Sequence, residues 1–151
     1  MVFYCRIALL AVLLVLTIPV SARADQPLIF RANDPDIRLR DMISALTESK
    51  DLEAGKIYDT ASIDLNGDGV NEVVFRGMRP GCETRADCSF VVAGLSRRKT
   101  SLLGSFPARK VGISQEKVYG VTKLIVYNDQ DNDFAYQLFY WNPYSQVFAG
   151  E

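Results

Sequence analysis

From Lys56 to the C-terminus, apolar residues recur in short alternating runs separated by turn formers, a pattern that predicts strands. Ile57 to Leu65 runs into a polar, glycine-bearing loop, and Glu72 to Arg76 leaves it. Met78 to Asp87 is turn-rich. Ser89 to Leu95 and Ser101 to Phe106 read as a hairpin joined by Ser96-Arg97-Arg98-Lys99. Val111 to Ser114 and Lys117 to Tyr119 form a weaker pair. Thr122 to Tyr127 and Ala135 to Trp141 flank a polar loop as a second hairpin, and Gln146 to Ala149 follows the turn at Asn142-Pro143.

Upstream the period changes. Ile37, Met42, Ile43, Ala45 and Leu46 recur at helical spacing, which predicts an amphipathic helix from Pro35 to Ser49. Asp34 suits the N-cap, Pro35 suits the first helical position, and Gly55 closes the region. Asp25 to Asn33 is an extended lead-in. The expected fold is therefore α+β: one N-terminal helix against a twisted antiparallel sheet of about eight short strands. No internal repeat and no low-complexity linker divides residues 25–151, so they are expected to form a single domain.

Residues 1–24 read as a secretory signal peptide. Arg6 precedes the apolar run Ile7 to Ile18, Pro19 breaks it, and Ala22-Arg23-Ala24 places small residues before a cut after Ala24. The rival reading is a membrane anchor, but the run falls short of the roughly 20 apolar residues that span a bilayer. Cys5 precedes the run, unlike the cysteine of a lipoprotein box. No later stretch is apolar enough to span, so no membrane insertion is expected after the signal is removed. The expected location is the periplasm or the exterior. Loss of Arg6 and Arg23 lowers the 17 basic residues to 15 against 18 acidic ones. That balance leaves no footprint for nucleic acid or anionic lipid.

Only Cys82 and Cys88 remain after cleavage. In an oxidising compartment they most simply form a disulfide, one that stabilises by roughly 2–2.5 kcal/mol through loop closure. A redox or metal pair is the alternative. The spacing is not C-x-x-C, and the chain has no histidine.

The loop carries the strongest chemical signal. Asp64-Leu65-Asn66-Gly67-Asp68-Gly69-Val70-Asn71-Glu72 sets side-chain oxygens at alternate positions around two glycines. Asp64, Asn66, Asp68 and Glu72 offer side-chain oxygens, Val70 offers a carbonyl, and Gly69 permits the sharp turn. Calcium takes six to eight oxygens in flexible geometry, whereas magnesium demands a stricter octahedron. An EF-hand needs a glutamate where this chain has Phe75, so that motif is excluded. The run resembles instead the calcium loop of FG-GAP and VCBS-type repeats, D-x-[DN]-x-D-G-x-x-[DE] between antiparallel strands. The resemblance implies calcium ligands at Asp64, Asn66, Asp68, Val70 (through its carbonyl) and Glu72, and a structural role for the ion. It covers the loop and its flanks only. One copy on a chain this short cannot make a complete propeller, and the Gly-Ala-Pro triplet of the repeat is missing. The competing reading is a glycine-rich turn that binds nothing, because Asn-Gly and Asp-Gly form turns unaided.

Other features extend the list of candidates. Asp129-Gln130-Asp131-Asn132-Asp133 repeats the alternating carboxylates but has Phe134 where the glycine would stand. Arg97, Arg98 and Lys99, with Arg109 and Lys110, make either a solubilising hairpin tip or a docking surface. Trp141 and Tyr144 are either core or a partner surface able to stack on a sugar.

The missing histidine removes the usual triad base, a disulfide would leave no thiol, and the obvious carboxylates belong to loops. These residues predict an exported, calcium-stabilised, non-catalytic domain that binds another macromolecule, a protein or an envelope glycan. One alternative is an inhibitor or immunity protein that inserts Ser96 to Lys99 or Asn128 to Asp133 into a cell-wall-active enzyme. The other is a carbohydrate- or envelope-binding module built on Trp141.

Overall fold

The strand-forming runs do form strands, but they divide between two sheets. The computed structural model describes residues 25–32, 37–54, 56–77, 79–96, 99–129, 131–132 and 134–150. One sheet has the order β2 (Arg31–Ala32), β3 (Tyr58–Ile63), β4 (Glu72–Gly77), β5 (Cys88–Ser96) and β6 (Lys99–Ala108). The other has the order β1 (Gln26–Pro27), β7 (Lys110–Val118), β8 (Val121–Tyr127), β9 (Tyr136–Asn142) and β10 (Val147–Gly150). Every pairing is antiparallel. This corrects the expected α+β arrangement of one helix against one sheet. The chain is mostly β, with two five-stranded sheets and two short helices, α1 (Ile37–Glu48) and α2 (Cys82–Arg85), among the described residues.

The apolar alternation of the central strands accounts for the layering. Val74 on β4 and Phe90 and Val92 on β5 face the second sheet. There they meet Leu124 and Val126 of β8, Val111 of β7 and Phe148 of β10. Their neighbours Val73, Phe75, Val91 and Ala93 point the other way, onto Leu39, Met42 and Leu46 of α1. The first sheet is therefore the middle layer, buried on both faces, which explains its unbroken apolar runs. The helix does pack on a sheet face, as its periodicity predicts. It ends at Glu48; two residues on, Lys50 adopts the left-handed conformation (φ 66°), and Leu52 N–H bonds back to the Leu46 carbonyl. Asp34, Pro35 and Gly55 lie outside the described residues, as does the whole predicted signal peptide, 1–24.

Local expectations change in three places. The lead-in is not one extended piece: it gives each sheet a two-residue edge strand, β1 and β2. The weak pair at 111–119 is a single strand, β7, with a break in register between Ile113 and Lys117. It pairs with β8 through the tight turn Tyr119-Gly120, where both residues have positive φ (52° and 81°), as a type I′ turn requires. The turn-rich segment contains α2, whose Cys82 is joined to Cys88 of β5 by the expected disulfide (S–S 2.07 Å).

Both sulfur-bearing residues are fully buried in the inter-sheet core. Replacing both, as C82A/C88A, is expected to cost about 2–2.5 kcal/mol. Urea unfolding should report this as a lower midpoint with little change in slope. An unchanged midpoint would mean that closing this short loop adds nothing to stability.

Candidate metal centre and the adjoining cavity

The loop between β3 and β4 is folded by its own side chains. Asp64 accepts hydrogen bonds from Gly67 N–H (2.6 Å) and Gly69 N–H (2.9 Å). Both glycines are left-handed, at φ 80° and 82°, a conformation that glycine alone adopts without strain. That conformation turns their N–H groups back onto Asp64. Two further turns follow: Asn66 Oδ1 accepts from Asp68 N–H (2.8 Å), and Asp68 Oδ1 accepts from Val70 N–H (2.7 Å).

Glu72, the first residue of β4, closes the loop from below. It is 7% exposed. Its Oε2 accepts from Leu65 N–H (2.8 Å) and its Oε1 from Asn66 Nδ2 (3.3 Å). Asn66 Nδ2 also reaches Asp68 Oδ2 at 3.1 Å. Leu65 is buried in the inter-sheet core, and its carbonyl accepts from Thr122 N–H of β8 (2.8 Å). The loop thus belongs to one sheet by sequence and is fastened to the other by Leu65.

The electrostatics of the loop are uneven. The Gly69 N–H, followed by that of Gly67, holds the Asp64 carboxyl below its ordinary range, although burial opposes this. Burial pushes the Glu72 carboxyl up, helped by the negative charges of Asp68 and Asp64 and opposed by the Leu65 N–H. The loop therefore keeps Asp64 anionic while penalising charge on Glu72, the condition that a cation relieves. The Lys117 ammonium lies beside the loop, 3.7 Å from where a Cβ would sit on Gly67.

The predicted ligands are gathered in one loop, and they are hard oxygen donors with no nitrogen or sulfur among them, the chemistry that suits calcium. They do not yet point at one centre. Among the described residues no three His, Cys, Asp or Glu side chains converge as a metal cluster. The oxygens of Asp64, Asn66 and Asp68 are instead turned onto N–H groups of the loop, and Val70 is exposed.

Beside the loop lies a cavity of about 200 Å³. Asn66, Asp68 and Glu72 line it from the loop, Ser101 and Leu103 from β6, and Trp141 from β9. Trp141 is half-buried and meets Phe148 of β10 edge-on, with ring centroids 5.7 Å apart. The close approach of β10 to β6 needs Gly104, since a Cβ there would stand 3.3 Å from that of Phe148. The cavity was not legible in the sequence. Ser101 and Leu103 carry no signal of their own, and only the meeting of β6, β9 and β10 brings them to the loop.

The remaining sequence candidates are scattered. Tyr144 is 92% exposed in the β9–β10 turn and does not line the cavity with Trp141. Lys99 is exposed at the start of β6, while Arg97 and Arg98 lie outside the described residues. In the second acidic loop, Asp129 Oδ1 accepts from Asp131 N–H and Asn132 Oδ1 from Phe134 N–H. Gln130 and Asp133 of that loop lie outside the described residues. Among the described residues no helix is long and apolar enough to cross a membrane. No protein family, curated protein or solved structure matches this chain.

Proposed function

We propose that this protein is an exported, calcium-stabilised domain that acts by contact with another macromolecule rather than by catalysis. The observation that carries the reading is the Asp64–Glu72 turn. It combines hard oxygen donors, two left-handed glycines and a buried carboxylate that carries charge at a cost. Asp64, Asn66, Asp68 and Glu72 would supply side-chain oxygens and Val70 its carbonyl. The bound ion would supply fixed positive charge and set the shape of the loop. Export is supported by the N-terminal charge and apolar pattern and by the disulfide, a crosslink suited to an oxidising compartment.

A contact role fits the carboxylates better than acid–base work does. Both Glu72 oxygens already accept hydrogen bonds, the Asp64 oxygens hold the turn, and the chain has no histidine to move a proton.

Calorimetric titration of calcium into chelator-treated protein tests the ion. One calcium per chain is expected, with a Kd on the order of 10⁻⁴–10⁻³ M, as in extracellular modules. Asp68→Ala should weaken binding at least roughly tenfold, the loss of about one good charge-assisted contact. Absence of binding heat from the wild-type protein across that range would overturn the ion assignment.

A further inference from the structure

We propose that the cavity beside the loop binds a single neutral sugar ring. The inference deepens the reading of the protein as a contact domain, and its polar wall shares Asn66, Asp68 and Glu72 with the proposed ion site.

Three observations converge on one small space. The first is composition by wall. Asn66, Asp68 and Glu72 present amide and carboxylate groups on the loop side, and Ser101 adds a hydroxyl from β6. Trp141 and Phe148 form the aromatic part of the remaining wall, and Leu65, Leu95, Leu103 and Val121 its aliphatic part. A pyranose has the complementary division: C–H groups on its faces and hydroxyls around its rim. An indole covers the former, and paired oxygen and amide groups bind the latter.

The second observation is size. At about 200 Å³ the cavity lies below the 300–1,000 Å³ of sites for drug-sized ligands, which suits one ring and excludes a buried chain.

The third is charge and preorganisation. Asp68 and Glu72 on the wall disfavour phosphates, sulfates and uronic acids. Glu72 is buried and held by Leu65 N–H and Asn66, so its orientation is already set before a ligand arrives. The Trp141 ring is likewise braced against Phe148 at 5.7 Å. Preorganised groups lose little entropy on binding.

The chain's sole tryptophan is also its reporter. N-acetylglucosamine, methyl α-mannoside and galactose, titrated separately into the protein, should include at least one that changes Trp141 emission with saturation at a Kd on the order of 1 mM, ordinary for a ligand of this size. Ser101→Phe fills the cavity from an exposed strand position outside the metal loop. It should raise the Kd at least tenfold while leaving the calcium titration unchanged. Trp141→Ala, followed by saturation-transfer NMR on the sugar, should abolish the signal. Glucuronic acid and spermidine are the charged controls.

Response to none of the neutral sugars overturns the inference. So does a response that Ser101→Phe leaves intact, or one confined to spermidine. Sugar binding that persists while calcium binding fails would retain this site and remove the ion. Calcium binding without any sugar response would do the reverse.

Discussion

Phe90→Ala is expected to destabilise the protein by roughly 3–5 kcal/mol, the usual cost of truncating a buried phenylalanine. Phe90 has no exposed surface and sits on β5 in the middle layer, facing the second sheet. Its ring stacks on Phe106 of β6 (6.2 Å between centroids) and meets Phe30 edge-on at 5.9 Å. Phe106 in turn packs on Phe139 of β9 at 4.8 Å, so the ring contacts run from one sheet to the other. Removing Phe90 takes away the first link and leaves a void that flanking strands, tied by their own hydrogen bonds, cannot collapse to fill. For a chain of this size the melting temperature should fall by roughly 10–20 °C. The matched control is Val91→Ala, one position along and facing α1. It removes fewer buried carbons and should cost less. Scanning calorimetry on both variants checks the ranking. Equal losses would mean that the inter-sheet core is not the dominant one.

The division into two sheets follows from contacts that no local pattern encodes. β6 and β7 are nearly continuous in sequence, separated by Arg109 alone, yet they belong to different sheets. The chain turns the corner there, and Arg109 N–H bonds to the Tyr127 carbonyl of β8. Alternation gives each run its strand character but not its partner, so successive runs invite a single meander. One local signal of the true layering was present. Val73-Val74-Phe75 and Phe90-Val91-Val92-Ala93 are unbroken apolar runs, and a half-exposed strand has no use for them. They require cover on both faces: α1 on one side and a second sheet on the other.

The loop was more legible because its fold is local. Asp64, Asn66 and Asp68 bond to N–H groups within five residues, so composition alone determines much of the turn. The cavity was illegible for the opposite reason: its walls come from separate segments spread between Leu65 and Phe148, joined only by tertiary packing. Helix α1 falls between the two. Its face is written in Leu39, Met42 and Leu46, and its partner is the middle sheet.

Calcium at a hundred times its Kd is expected to add about 2.7 kcal/mol to the stability of the wild-type protein and to raise its melting temperature by roughly 8–12 °C over chelator. Glu72→Gln separates the two roles of the buried residue. The carboxamide oxygen can still accept from Leu65 N–H; the variant gives up the longer bond from Asn66 Nδ2 (3.3 Å) but carries no buried charge beside Asp64 and Asp68. In chelator at neutral pH it should therefore melt at or above the wild-type temperature, and in saturating calcium it should melt well below. The pH dependence fixes the cause. The folded protein holds the Glu72 proton more tightly than the unfolded chain does, so this group lowers stability as pH rises from 4.5 through its elevated folded value. Below that window wild type and Glu72→Gln should converge in chelator; above it the variant should lead. Asp64 has the opposite sign, contributing stability that disappears as pH falls through its depressed folded value, and it acts equally in both proteins. A variant that gains as much from calcium as the wild type would remove Glu72 from the ligand set. One that melts lower in chelator at every pH would show that Glu72 holds the loop by hydrogen bonding, with no cost of buried charge for the ion to relieve.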